Sequence, residues 1–192
     1  MNMIGNSPLK KSFALSHNKN IALILELLLI IFGGALAAFM HFRLRIPLNM
    51  PGHHGLEFMA IFVLIRLESN LKYAATAATL GVGFMLLFPG MGSSNPLNSL
   101  GYLLPGIALD LLYQYNKNRL QLLFVASIVA GISYMSIPLS RLFLNLIIGY
   151  PYMAFVKFGV MYTILSFLFF GMLGGVLGFT LSNIKSVLNK SK

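Results

Sequence analysis

The feature that most constrains this chain is a long apolar run near its carboxyl terminus, Phe158 to Leu181, which contains no charged residue. A helix that crosses the hydrocarbon core of a bilayer needs roughly 20 mostly apolar residues. The whole composition agrees with such a helix, because 57% of the residues are hydrophobic and only 9% are charged. A soluble domain has about 25% charged residues. The sequence therefore predicts an integral membrane protein.

Other apolar runs predict five more helices. The first run is interrupted only by Glu26, and it is too long for the apolar part of a signal peptide. We expect Pro138 to end the fifth run, with a less regular stretch after it. The prediction is an all-α integral membrane protein of about six transmembrane helices over residues 21–182, after a polar cytoplasmic segment 1–20 and before a basic cytoplasmic tail 183–192. The five runs are Ile21 to Phe42, His53 to Leu67, Leu71 to Phe88, Pro96 to Tyr115 and Leu120 to Ile137.

The basic residues predict which side of the membrane each connection faces. Cytoplasmic loops carry an excess of Lys and Arg. With the amino terminus inside, ten of the 14 basic residues fall on inner segments, and six spans return the carboxyl terminus to the same side. The formal net charge of +10 thus indicates topology and gives no reason to expect a nucleic-acid partner. The absence of cysteine excludes disulfides and thiolate chemistry. The four outer basic residues are Arg43, Arg45, Arg141 and Lys157.

Ionisable groups inside spans are costly, so each one is a candidate functional residue. Glu26 and Asp110 are predicted near the cytoplasmic face. One interpretation is that each pairs with a nearby basic residue, Arg66, Lys117 or Arg119. The other is that they contact a cytoplasmic partner.

A His-His-x-x-Glu segment begins the second run on the outer side. Three readings stay open for His53, His54 and Glu57: polar contacts to a small molecule, structural pairing, and part of a metal site. Imidazole and carboxylate suit Zn or Ni, and His53 and Glu57 at i and i+4 share one helix face. A third ligand would have to be His41, from another span.

The outer loop around residues 88–98 is rich in glycine and small polar residues. Ser94, Asn95 and Asn98 offer hydrogen-bond donors and acceptors to a substrate, or the asparagines cap a helix. Residues 92–94 also give a Gly-x-Ser pattern, but an intramembrane serine protease needs a histidine on a later span and none follows His54. We therefore expect no enzymatic activity and no cofactor.

A third outer segment carries Arg141, Asn145 and Lys157. The two cations suit a carboxylate or phosphate of a substrate. Equally, they act as interfacial anchors, with Tyr150 and Tyr152 in the aromatic belt.

Small residues recur four positions apart in two of the predicted helices. Such faces let helices approach closely, either within the bundle or against another membrane subunit. They are Gly33, Gly34, Ala37 and Ala38 in the first span, and Gly171, Gly174, Gly175 and Gly178 in the last.

Taken together, these features resemble the substrate-binding S component of an energy-coupling-factor (ECF) transporter. The resemblance covers almost the whole chain: six spans with both ends inside, the small face of the first span, and three short motifs. The motifs are Arg-Ile-Pro at 45–47, the Gly-rich loop at 89–94, and Gly-Tyr-Leu-Leu at 101–104, which is similar to the biotin-type members.

The resemblance implies a function in nutrient uptake, in the cell (inner) membrane of a bacterium or archaeon. A transmembrane T component and cytoplasmic ATPase subunits would power transport, with the small face of the first helix against the T component. The S component would bind a small polar or anionic, vitamin-like nutrient near the outer face. Nickel and cobalt members begin Met-His, whereas this chain begins Met-Asn. The alternatives are a metal-dependent intramembrane enzyme or metal-uptake protein using the His-His-x-x-Glu segment, and a ligand-free accessory protein.

Overall fold

The structure is a computed structural model that describes residues 19–43, 49–91, 99–115 and 122–188, with side chains described to residue 184. Within these ranges it is helical and contains no strand, which confirms the predicted all-α class. A 3₁₀ turn, Gly101–Leu103, precedes the fourth helix. The helices are α1 (Lys19–Arg43), α2 (Gly55–Glu68), α3 (Ala74–Leu86), α4 (Leu104–Tyr115), α5 (Leu123–Ile148), α6 (Met153–Phe158) and α7 (Val160–Leu188).

Three of these helices are long and apolar enough to cross a membrane: α1, α5 and the Val160–Ile184 part of α7. At 1.5 Å per residue, α2, α3 and α4 are about 18–21 Å long, shorter than the roughly 30 Å hydrocarbon core. Length and composition therefore support a membrane protein with three candidate spanning helices. The count of six spans and the position of both termini stay predictions.

The helices pack as a closed ring in the spatial order α1, α3, α4, α5, α7, α2. Helix α2 has the largest fraction of buried residues, since ten of its 14 residues are buried. Its Phe58, Met59 and Phe62 are fully enclosed, and Tyr134 of α5 packs beside them. The core of the bundle thus lies around α2, the helix that carries the His-His-x-x-Glu segment at its start.

The small-residue faces pack inside this bundle. A Cβ at Gly34 would collide with the backbone of Ala78 on α3, and Ala37 and Ala38 are fully buried. Gly33 faces Ile65 of α2. The predicted T-component face on α1 is therefore occupied by α3 and α2.

Helix α7 uses its glycines in two separate stripes. Gly171 and Gly175 face α5, where an added Cβ would meet the backbone near Ala130 and Ser127. Gly174 and Gly178 face the α2 backbone. Residues four apart share a helix face, so two interleaved pairs allow α7 to approach two neighbours closely.

The prediction that Pro138 ends the fifth helix is wrong, because α5 continues to Ile148. Proline is tolerated in apolar helices where neighbouring helices and Ser or Thr side chains satisfy the disturbed backbone. Here Pro138 is fully buried in the bundle. The carbonyl that loses its N–H partner is that of Tyr134, whereas Ser136 Oγ and Ser140 Oγ donate to the carbonyls of Ser133 and Ile137. The helix ends instead at Gly149, whose φ of 69° is left-handed.

Side-chain contacts between helices concentrate at the two ends of the bundle. At one end, which we call the Arg66 end, α1 and α3 begin and α2 and α4 end. At the other, which we call the Arg141 end, α2 and α4 begin and α1 and α5 end. Consecutive long helices therefore run in alternating directions. Residues more than 40 positions apart in the chain meet at each end.

Candidate functional site

Asp110 organises the Arg66 end. Its carboxylate is fully buried and accepts a hydrogen bond from Arg66 Nη1 at 2.9 Å. It also accepts from the backbone N–H groups of Ala75 at 3.3 Å and Thr76 at 2.6 Å, in the first turn of α3. One carboxylate thus neutralises a buried guanidinium and caps a helix from another segment. The predicted pairing of Asp110 with Arg66 is confirmed.

The two other acids at this end also have partners. Glu26 Oε1 accepts from Ser69 Oγ at 2.6 Å and from the backbone N–H of Asn70 at 3.2 Å. Glu68 Oε1 accepts from Ser182 Oγ at 2.7 Å. The described partners of Glu26 are therefore neutral donors, the hydroxyl of Ser69 and the backbone N–H of Asn70, which follow the end of α2. Two of its predicted basic partners, Lys117 and Arg119, lie outside the described residues.

The fourth acid, Glu57, lies at the Arg141 end and is 7% exposed. His54 Nδ1 donates to its Oε1 at 2.6 Å, an i to i+3 contact that corresponds to the structural-pairing interpretation. His53 Nδ1 donates to the carbonyl of Met50 at 2.6 Å. The His41 ring lies 5.0 Å from that of His54, as a third ligand would need. Even so, no group of three His, Asp or Glu side chains in the described ranges has the geometry to hold a metal ion.

Arg141 differs from Arg66 in its partners, although both are buried. Its side chain is 4% exposed, and its guanidinium lies 4.4 Å from the ring centre of Tyr152 and 5.1 Å from that of Tyr102. Among the described side chains there are two ion pairs, His54–Glu57 and Arg66–Asp110. Arg141 is therefore hydrogen-bonded to the side chains of Tyr102 and Tyr152 and has no carboxylate partner within the described part of the chain.

A closed set of contacts links Arg141 to the His-His-x-x-Glu segment. The His41 ring contacts both His54 and Tyr102, the latter at 4.7 Å between centroids. On the other side, Tyr134 precedes Arg141 by seven residues on α5, and its ring packs directly on Gly55. Five segments therefore supply one cluster, which we call the Arg141 cluster: His41, His53, His54, Glu57, Tyr102, Tyr134, Arg141 and Tyr152.

Eight buried polar side-chain atoms in the described part of the chain have no hydrogen-bond partner: five belong to this cluster, and the other three, Arg66 Nε, Glu68 Oε2 and Gln114 Nε2, lie at the Arg66 end. Buried polar groups in folded proteins are nearly always hydrogen-bonded, so a group of exceptions in one place is informative. The cluster offers both unused donors and an unused carboxylate oxygen. The five atoms of the cluster are His41 Nδ1, His53 Nε2, Glu57 Oε2, Tyr134 OH and Arg141 Nε.

Tyr152 lies in the connection between α5 and α6. Burial raises the pKa of its phenol above the ordinary value of 10.0. The nearby Arg141 charge opposes this change, and desolvation outweighs it. The phenol is therefore neutral at physiological pH. It is hydrogen-bonded to Arg141 and does not neutralise the guanidinium charge.

The remaining predicted site residues lie away from the cluster or cannot be placed. Arg43 is exposed at the end of α1, and Lys157 is exposed on α6 beside the Phe158 ring. Asn145 Nδ2 donates to the carbonyl of Tyr150, which holds the turn after α5. Ser94, Asn95 and Asn98 fall in residues 92–98, outside the described ranges.

Four cluster residues were not predicted as substrate-binding residues. His41 was named only as a possible third metal ligand and Tyr152 only as part of the aromatic belt, whereas Tyr102 and Tyr134 were not predicted in any role at the site. The signal for Tyr134 was its spacing of seven from Arg141, which puts both on one face of α5. Nothing in the local sequence links Tyr102 to Arg141, because the contact depends on how α4 packs against α5.

The chemistry available at the cluster is recognition by charge, hydrogen bonds and aromatic surface. A guanidinium in aromatic surroundings binds carboxylate or phosphate oxygens strongly, since little water competes there. No protein-family model, curated protein or solved structure matches this chain. The functional argument therefore rests on the geometry of the Arg141 cluster.

Proposed function

We propose that this chain is the membrane-embedded substrate-capture subunit of an ECF-type uptake system. In this proposal it binds a small polar or anionic micronutrient at the Arg141 cluster and carries out no covalent chemistry. The single observation behind the proposal is that Arg141 is buried with no carboxylate partner among the described residues. A buried charge without a counter-ion is costly to keep. Its presence is explained if binding an anion is what the residue does.

The contrast with the Arg66 end supports this interpretation. At that end, Arg66, Glu26, Glu68 and Asp110 each bond to side chains or backbone of other segments. Charges that only hold the bundle together are expected to have such partners. At the other end, Arg141 lies against the rings of Tyr102 and Tyr152. A structural role therefore explains Arg66 well and Arg141 poorly.

The proposed orientation puts the Arg141 end outside. The support is the charge distribution of the sequence, since ten of the 14 basic residues belong to segments predicted on the opposite side. A nutrient would then enter from outside. The proposed membrane is the cell (inner) membrane of a bacterium or archaeon.

The proposed partners are a transmembrane T component and cytoplasmic ATPases. Because Gly34 packs on α3, Gly33 faces α2, and Ala37 and Ala38 are fully buried, a T component would have to meet α1 on its other face. That face exposes large apolar side chains, among them Leu28 and Phe32. Lipid covers it where no partner does. Co-expression with T-component and ATPase subunits, followed by purification on a tagged chain, tests for a complex.

The capture function is tested by the thermal stability of the purified protein and by uptake into cells. A small-molecule extract of cells is expected to raise the melting temperature of the wild-type protein, because a ligand that binds only the folded state stabilises it. Arg141→Gln is expected to lose this response and Lys157→Ala to keep it. The proposal is wrong if the extract leaves the wild-type melting temperature unchanged and deletion of the gene leaves nutrient uptake unchanged.

A further inference from the structure

We infer that the Arg141 cluster recognises an amphoteric small molecule, with an anionic group at Arg141 and an N–H or O–H donor at Glu57. This inference rests on the proposed capture function and narrows it to a class of ligand. It depends on the cluster presenting two kinds of unused group together, a cationic donor and an anionic acceptor.

The cationic side of the cluster is Arg141. Its Nε–H is buried and has no partner, and the neighbouring Tyr102 and Tyr152 rings leave the positive charge in place. A planar guanidinium binds a carboxylate through two parallel hydrogen bonds. An anionic group is therefore the natural complement here.

The anionic side is Glu57. Its Oε1 accepts from His54 Nδ1, whereas its Oε2 is buried without a partner. A carboxylate oxygen only accepts hydrogen bonds, so it requires a donor from whatever occupies the cluster. A purely anionic ligand would not supply one. A ligand with an N–H or O–H group besides its anion satisfies both sides.

Tyr134 connects the two sides. Its ring packs on Gly55, between His54 and Glu57 in the chain, and its hydroxyl is buried and unpartnered. Because a tyrosine hydroxyl both donates and accepts, it can bond to either part of an amphoteric ligand. His41, with its unpartnered Nδ1, adds an aromatic surface between His54 and Tyr102. The ligand is thus expected to be small and to present a flat or short body between its two polar groups.

Affinity selection with matched compounds tests the ligand class on the purified full chain. The panel contains amino acids, imidazole carboxylic acids and ureido acids, each with its carboxamide and its decarboxylated counterpart. At least one acid is expected to bind wild type, with its carboxamide and decarboxylated counterparts about 10- to 100-fold weaker. This comparison needs no variant, so it holds even if a substitution impairs folding.

Variants assign the two groups. Arg141→Gln is expected to weaken binding of the acid about 10- to 100-fold and to leave the carboxamide within about 2-fold. Glu57→Gln is expected to weaken binding of the acid, and methylation of the ligand's N–H is expected to have no further effect in that variant. Lys157→Ala is the control, since it removes an exposed cation outside the cluster.

Two results overturn the inference and separate it from the proposed function. If wild type responds to a cell extract but binds no acid of the panel, or binds a carboxamide as tightly as its acid, the ligand class is wrong and capture stands. If wild type responds neither to the extract nor to any compound of the panel, both proposals are wrong.

Discussion

The two ends of the bundle each bury an arginine, and the two guanidinium groups have different partners. At the Arg66 end the guanidinium bonds to Asp110, which also caps α3. At the Arg141 end the guanidinium lies against Tyr102 and Tyr152, and Glu57 bonds to His54 instead. Removing one partner of a buried pair is strongly destabilising, whereas a buried charge that is not paired costs stability by its presence. The partners of a buried charge, and not its burial, therefore distinguish an interaction that supports the fold from a candidate binding group.

The largest expected effect is at the Arg66 end. Asp110→Ala should lower the free energy of unfolding by about 3–5 kcal/mol, because it leaves Arg66 buried without its counter-ion and removes two hydrogen bonds to α3. Denaturation of the purified protein in detergent measures the change. Leu111→Ala, at the exposed neighbouring position, is the control. A loss of less than about 1 kcal/mol would mean that the ion pair is not what stabilises this end.

The two arginines allow a matched comparison. Arg66→Gln should lower stability by about 3 kcal/mol, since it leaves Asp110 buried without a cation. Arg141→Gln in ligand-free protein should change stability by less than about 1 kcal/mol or raise it, because no carboxylate loses a partner. Thermal unfolding of both variants beside wild type gives the comparison. Equal losses for the two would remove the distinction between the ends.

A smaller effect is expected where α7 joins the Arg66 end. Ser182→Ala should cost about 1–2 kcal/mol, because the hydroxyl donates to the buried carboxylate of Glu68. The matched control is Thr180→Ala on the same helix, whose hydroxyl bonds only to its own helix at Val176. The difference between the two variants in chemical denaturation is the quantity to measure. No difference would indicate that Glu68 is satisfied in another way.

The smallest expected effect is a pH dependence at the Arg141 end. Burial raises the pKa of Tyr152 in the folded protein above 10.0. Below that pH the phenol is protonated in both the folded and unfolded chains; as the pH rises above it, the unfolded chain loses its proton first and stability falls. The free energy of unfolding, measured from pH 9 to 11, should therefore fall less steeply for Tyr152→Phe than for wild type. Tyr115→Phe, at an exposed position, is the control. Identical slopes for Tyr152→Phe and wild type would contradict a buried Tyr152.

Much of the fold was predictable because it depends on local patterns. Apolar runs bounded by Pro, Gly and charged residues predicted α1, α2 and α3 closely, whereas α4 begins at Leu104 rather than Pro96 and α7 continues past Leu181 to Leu188. The predicted end of α5 was wrong because the helix continues through Pro138, which is fully buried in the bundle. That accommodation depends on packing against other helices, which no local rule includes.

The candidate site was predictable only in part. His53, His54, Glu57 and Arg141 were identified because ionisable residues are rare in an apolar chain. Their partners were less predictable, since Glu57 bonds to the histidine at i−3 and Arg141 meets tyrosines from other segments. The predicted partner face on α1 is the clearest example. A stripe of small residues has one appearance in sequence, whether it packs within the bundle or against another protein.

The sequence by itself determined that this chain is helical and strongly apolar, because hydrophobic composition and helix length are properties of single segments. It also determined which few residues carry charge. Only the tertiary structure decided which of those charges are paired, because Arg66 and Asp110 are 44 positions apart and the Arg141 cluster gathers five segments. Pairing is a property of neighbouring helices. It separates an arginine that is paired with a carboxylate from one that has no carboxylate partner among the described residues.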